Sequence, residues 1–254
     1  MSALFGTAIA VEVRKAAASR VMSSISAILI GGLAVLTFGI LVGAASGDEQ
    51  IVAKLGPLAG AGGWTGLVGI VAQITSAGGL LAFGVALSWM FGREFADATV
   101  SGLFALPIRR STIAIAKLVV YLAWALAVAA VLTMVVAIIG IALGYGITDA
   151  AGVGNLARVP VLVVLTALIA VPAAWAATIG RGLLPGIAAS VGIVVLAQVM
   201  AVIGVGAWVP FVAPALWAIA PDSVPVAALL VVPSVPLLFG ALSALAWHRL
   251  QLDR

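Results

Sequence analysis

The chain of 254 residues has no cysteine, one histidine and few charges, with only 8% of its residues Asp, Glu, Lys or Arg. Without cysteine there is no disulfide framework, no thiolate nucleophile and no cysteine metal site. The single histidine, His248, excludes a histidine metal cluster. The shortage of charge excludes more, because a water-soluble domain carries about 25% charged residues. With 65% of residues hydrophobic, the chain belongs in a bilayer. Its net charge of +4 suits anionic lipid headgroups, so membrane lipids are expected partners and nucleic acid is not. Glu12, Arg14, Lys15 and Arg20 precede the first long apolar run, and no small-residue cleavage pattern closes that run, so the start does not read as a cleavable signal.

An ionisable side chain costs roughly 2.5–3.5 kcal/mol at bilayer depth, so intervals free of such residues outline the membrane segments. They are 21–47, 55–92, 118–148, 159–180, 182–221 and 223–248. Each holds the ~20 apolar residues that cross a ~30 Å core as a helix. Gly56, Pro57, Gly60, Gly62 and Gly63 delay the second span, and Trp208-Val-Pro210 ends the fifth. The expected fold is all-α integral membrane, one transmembrane domain over 1–254, with spans at about 21–45, 64–91, 118–144, 159–179, 185–206 and 224–247. Long continuous apolar runs, rather than alternating segments of ~10 residues, argue against a β-barrel. Ten of the twelve Lys and Arg fall at the termini, in 93–117 and at Arg181, against Lys54 and Arg158 on the other face. By the positive-inside rule, a multi-pass protein of the cell (inner) membrane with both termini cytoplasmic is expected.

The chain lacks an energy source of its own. Its lysines, Lys15, Lys54 and Lys117, follow Arg, Ala and Ala, so no Gly-Lys-Ser/Thr loop can cradle a nucleotide phosphate. An ion-coupled carrier buries a charge at the midplane, and all charges here are expected outside the spans. Polar residues within the spans, among them Gln73, Thr75, Ser88, Thr166, Thr178, Ser190 and Ser243, read mostly as helix-to-helix hydrogen bonds. His248 beside Arg249 reads as an interfacial anchor rather than a general base, and no paired in-membrane carboxylates exist, so catalytic residues are expected to be absent. Glycines four apart, as at Gly39/Gly43 and Gly140/Gly144, could allow close helix contact.

Residues 92–117 hold six charges, the largest polar feature on the expected cytoplasmic face. Phe95, Thr99 and Leu103 recur at four-residue spacing and Glu94 and Asp97 suit a helix start, so Arg93 to Phe104 could form a short helix before Pro107 stops it. Such a segment is either a docking helix for a soluble partner or a solvated loop joining two spans.

Here the sequence resembles a known family. Glu94-x-x-x-Ala98-Thr99, then Leu106-Pro107-x-x-Arg110 and Lys117, is similar to the pattern E-x-x-x-G-T … L-P-x-S-R … K that follows the second membrane helix of ABC-2-type transporter permeases. Ala98 stands where that family usually has Gly, and Arg109 where it often has Ser. The resemblance implies the transmembrane subunit of an ABC exporter, not itself an enzyme, paired with a second permease copy or paralogue and two ATPase subunits. This chain would bind no cofactor, with ATP and Mg held in the partner ATPase. The loop after the second span would be the coupling helix, with Arg93, Glu94, Phe95, Asp97, Thr99, Leu103 and Pro107 shaping it or touching the ATPase. Arg110 and Lys117 would anchor its return at the phosphate level. The lead-in of about 4–20 would be the elbow helix, its apolar stripe Phe5, Ile9, Val13 and Ala16, with Glu12 beside the stripe and Arg14, Lys15 and Arg20 facing headgroups.

Between the fifth and sixth spans, Trp208, Pro210, Phe211, Pro214 and Trp217 mark a segment too broken for a span and too apolar for open water. It reads either as aromatic anchoring or, as the resemblance implies, as re-entrant helices forming an outer gate. The expected function is ATP-driven export or flipping of a hydrophobic or amphipathic compound such as a drug, lipid or peptide-like molecule. The alternatives are a non-transporting anchor or assembly component of an enzyme complex, and a self-contained channel.

Overall fold

The computed structural model describes residues 2–105, 107–146 and 150–251, leaving Leu106 of the loop motif and Arg254 of the terminal basic set outside. The described elements are helical, and six helices are long and apolar enough to cross a membrane: Arg20–Ala45, Gly63–Ala96, Arg110–Ala142, Gly152–Ile179, Leu183–Val202 and Val226–His248. An N-terminal helix, Ser2–Ala17, precedes them and packs against the start of the third span. Both ends of the chain meet at one end of the bundle, where Lys117 contacts the N-terminal helix and Arg110 contacts Leu250.

Local chemistry sets the helix limits. Ser19 caps the first span by accepting the Met22 N–H at 3.2 Å. That helix buries Met22, Ile25, Leu29, Leu33 and Thr37 at intervals of three and four, while Ile28, Val35 and Phe38 stay exposed on the lipid-facing side. The second span contains a π-helical turn, Thr75–Gly79, where small residues accommodate the wider ring. The fourth span breaks at Ala170 and Val171 and restarts at Pro172, whose missing N–H needs no partner in a first turn. The sixth breaks likewise at Pro233, between Val226–Val231 and Ser234–His248.

The third span starts at Arg110 rather than near 118 and is 33 residues long. At 1.5 Å per residue it is about 50 Å long, so its first turns extend beyond a ~30 Å core and take Lys117 into a continuous helix. The fifth stops at Val202, where Gly204 at φ +79° turns the chain.

The interior is tied by aromatic side chains. Phe83 lies edge-on to Tyr121 and Trp124, with centroids 6.2 and 5.5 Å away. Tyr121 donates to the Ala167 carbonyl at 2.8 Å, and Trp124 donates to Ser26 Oγ at 3.0 Å, so one cluster joins the first four spans. The span hydroxyls differ from expectation. Ser88, Thr133, Thr166, Thr178, Ser190 and Ser243 each donate to the carbonyl four residues back in their own helix, and of these Thr178 also accepts across helices, from Trp247.

The second and fifth spans interlock through small residues. A side chain at Gly84 would strike Ser190, and one at Gly186 would strike Ser88. Two small-x-x-x-small pairs thus face each other, and a search for glycine alone misses them because serine fills half the positions.

Candidate functional site

The second span ends at Ala96, and the four-residue helix Val100–Leu103 follows. One helix from Arg93 to Phe104 is therefore not formed. The reason lies at Ala98, whose φ of +55° is in the left-handed region that stops a helix and favours glycine. This is the position where ABC-2-type permeases usually carry glycine. Beyond it the Thr99 hydroxyl folds back, 2.6 Å from Glu94 Oε2 and 3.3 Å from the Glu94 carbonyl.

Glu94 is the hub of a buried ion cluster. Its Oε1 accepts from both Lys15 Nζ and Lys117 Nζ at 2.9 Å. Glu12 closes the ring, with Oε1 accepting from Lys15 and Oε2 from Lys117, again at 2.9 Å. The side chains of Glu12, Glu94 and Lys117 are 4%, 3% and 1% exposed, and that of Lys15 is 29% exposed. Two cations and two anions leave the cluster neutral, which offsets a desolvation penalty of several kcal/mol per ion. Burial pulls the Lys15 ammonium down, but the hydrogen bond to Glu94 and the charge of Glu12 outweigh it, leaving its pKa above the ordinary 10.5.

Lys117 also lies 5.8 Å from the centre of the Trp247 ring. Trp247 is fully buried, donates to Thr178 Oγ1 at 3.1 Å, and meets Phe91 and Phe95 edge-on at 5.9 and 6.2 Å. The N-terminal helix and the second, third, fourth and sixth spans therefore converge on a single cluster. Trp247 is a member the sequence reading did not single out, because an isolated Trp near a span end looks like any interfacial aromatic, whereas Thr178 was expected to bond between helices and does so.

Several expectations are corrected by this geometry. Glu94 and Lys117 lie inside long helices instead of outside the spans, because mutual pairing makes burial tolerable. Lys117 faces two carboxylates and a ring. Arg110 bonds the His248 carbonyl at 3.5 Å and the Leu250 carbonyl, capping the end of the sixth span, while its guanidinium stacks over Phe104 at 4.2 Å. Phe95 and Leu103 are half-buried and pack on the core, so they are not the free apolar knobs of the loop. Arg93 stacks over Trp89 at 4.5 Å. The surface the loop leaves open comprises Asp97, Ala98, Thr99, Ser101, Gly102, Ala105, Pro107 and Arg109.

The N-terminal helix is rotated from the expected stripe. Its inward face is Ala8 and Glu12 with Ile9, Lys15 and Ala16 beside them, while Val13 is 46% exposed. Glu12 thus occupies the centre of the buried face and Lys15 turns inward with it. Arg14 and Arg20 remain exposed.

At the opposite end, Trp64 donates to the Gly146 carbonyl at 2.8 Å and packs where a side chain at Gly140 would clash. The short helix Ala213–Ile219 follows, with Ala218 buried in one cluster with Ala72 and Leu162. Ala72 lies nine residues along the helix from Gly63, about 14 Å at 1.5 Å per residue. The segment therefore packs well inside the helix bundle rather than over its end. Pro214 is buried and Pro210, Phe211 and Trp217 are half-buried, but Trp208 is 61% exposed and stands outside this packing.

A family model described as ABC-2 family transporter protein matches residues 8–198, which include the N-terminal helix from Ala8, the loop, the first four spans and most of the fifth. Compared with curated proteins and with solved structures, the chain finds no match. Match, motif and six apolar helices agree: the chain belongs to the ABC-2 transporter family, as a multi-pass transmembrane permease.

Proposed function

We propose that the chain is the membrane subunit of an ATP-driven exporter or flippase for a hydrophobic or amphipathic compound, working as one of a pair with two separately encoded ATPase subunits. ATP and Mg are bound and turned over in those subunits, not in this chain. The end carrying ten of the twelve Lys and Arg faces the cytoplasm. The ATPase docks on the open loop surface of Asp97, Ser101, Ala105, Pro107 and Arg109.

The observation that carries this reading is the Glu94 carboxylate. Thr99 of the loop holds one oxygen, and Lys15 and Lys117 hold the other. A displacement of the loop by a partner thus reaches the N-terminal helix and the third span through one side chain. Nucleotide states of the ATPase that bind the loop differently shift the permease between two conformations. The segment around Ala213–Ile219 serves as the outer gate. The fifth span, only 11% buried and exposing Val191, Val195, Val199 and Val202 along one face, receives the second permease copy or paralogue. Most span hydroxyls donate within their own helices, and the apolar route this leaves suits an apolar or amphipathic cargo.

Mild-detergent purification of the tagged chain from native membranes tests the reading. A stoichiometric P-loop ATPase is expected, lost in Asp97→Lys/Arg109→Glu while the chain still inserts. Clean recovery without any ATPase, from membranes that contain a candidate one, would refute the transporter and leave a membrane anchor.

A further inference from the structure

The second span is one continuous helix of two α-helical halves, Gly63–Ile74 and Leu80–Ala96, joined by the π-helical turn Thr75–Gly79. Leu80 donates to the Thr75 carbonyl, five positions back instead of four, so the turn holds one residue more than an α-helix needs. The halves hold different parts of the molecule. Glu94 of the inner half belongs to the ion cluster beside the loop, and Ala72 of the outer half packs with Leu162 and with Ala218 of the segment Ala213–Ile219. The turn itself touches the first span, the fourth span and that segment.

Two independent features set the turn apart. Six span hydroxyls bond the carbonyl four residues back. Thr75 and Thr37 carry the two buried hydroxyls without a partner among the described residues. Thr75 lies in the turn, and Thr37 lies on the first span, which packs against it. An unpaired buried hydroxyl destabilises the helix register that leaves it so. The second feature is room to move. Gly78 is exposed and a side chain there would meet nothing within 4 Å, as at Gly60, Gly62 and Gly63 around the start of the outer half. Gly63 already takes φ +63°, so this lead-in can adapt to a changed helix start.

We propose that the second span is a register switch, in which the π-turn closes to an α-helical one. The outer half then turns by about 100° and rises about 1.5 Å relative to the inner half. Each residue of the outer half takes the place of the one before it. Gln73, longer and polar, moves into the place of the fully buried Ala72 against Leu162 and Ala218, and displaces the segment Ala213–Ile219. Thr75 leaves its place over Gly79, where its methyl lies 3.0 Å from the position of a side chain. Trp64, bonded to the Gly146 carbonyl, holds the present register. The use of the switch rests on the reading of Ala213–Ile219 as the outer gate, whereas the register change itself needs neither ATPase nor cargo.

Spin labels at Glu49→Cys and Asp222→Cys, both exposed in outer loops of a chain with no native cysteine, test the proposal by electron–electron distance measurement in lipid vesicles of the full chain. Two distances are expected in the parent. Deletion of Gly78 removes the extra residue and leaves both halves in their present registers, so one distance should remain and the variant should melt no lower than the parent. Deletion of Gly39, in the regular helix of the first span, should lower melting sharply. Thr75→Val removes the unpaired hydroxyl from the present register, so it should raise the melting temperature and reduce the second distance about tenfold. Thr133→Val, which removes a hydroxyl already bonded to Ala129, should do neither. A single distance in the parent, both distances after deletion of Gly78, melting of that variant as low as the Gly39 deletion, or an unchanged Thr75→Val overturns the switch. None of these outcomes alters whether an ATPase co-purifies, and absence of the ATPase leaves the two distances to be read as before.

Discussion

Lys117 Nζ and Glu94 Oε1 lie 2.9 Å apart, with both side chains almost wholly buried, across a gap of 23 residues in sequence. The pair joins the start of the third span to the end of the second, where the loop between them begins and ends. Removing one partner leaves a buried charge without compensation, which costs about 3–5 kcal/mol. Lys117→Met should therefore destabilise strongly, while Lys117→Met/Glu94→Gln, which leaves Glu12 and Lys15 as a neutral pair, should recover much of the loss. Thermal unfolding of the four proteins of this cycle in detergent checks it, and simple additivity of the two changes would rule out the coupling.

Thr99 reaches the same carboxylate from the loop. Thr99→Val deletes a hydrogen bond to a charged group, worth about 1.5–3 kcal/mol, and changes one exposed side chain to an isosteric one while keeping Asp97 and Arg109 in place. ATPase binding should persist while transport per ATP hydrolysed falls in reconstituted vesicles. An unchanged transport ratio would remove Thr99 from the transmission path.

Ala98 pays for its left-handed conformation with about 1–2 kcal/mol. Ala98→Gly should raise the melting temperature with the loop structure unchanged. A lower melting temperature would mean that the methyl group contributes more than the strain removes.

Gly84 and Gly186 admit the close approach of the second and fifth spans, whereas a side chain at Gly192 meets nothing within 4 Å. Gly186→Leu should cost about 1–3 kcal/mol or more by overpacking, and Gly192→Leu should be neutral. Melting of the two variants side by side decides whether the small-residue interlock is what holds these helices.

The pKa of Lys15 is raised above the 10.5 it has when unpaired. A raised ammonium pKa contributes stability that is complete below 10.5 and fades as pH rises through the higher folded value. Because the chain has no native cysteine, a spin label at Val11→Cys is unique. Its mobility should be constant from pH 7 to 10 and increase only above that window; release of the helix at pH 8–9 would contradict the pairing.

The sequence by itself determined that this is a six-helix membrane chain, because charge is so costly in hydrocarbon that its gaps outline the helices. It also carried the loop motif, since Glu94, Ala98, Thr99 and Lys117 lie within 24 positions of one another. Even the departure at Ala98 was visible, though only the backbone gave its meaning as a left-handed stop. Tertiary structure decided where the charges point. Glu12 looked like a flaw on an amphipathic helix and Lys117 like a headgroup anchor, because one-dimensional reading treats a lone charge near a span as seeking water. In three dimensions Glu12 and Lys117 are 2.9 Å apart despite a sequence separation of 105, and each makes the other's burial tolerable. Ion pairing of this kind depends on which helix faces another, and that is set by packing between spans, through contacts such as Gly84 with Ser190, which no local pattern encodes.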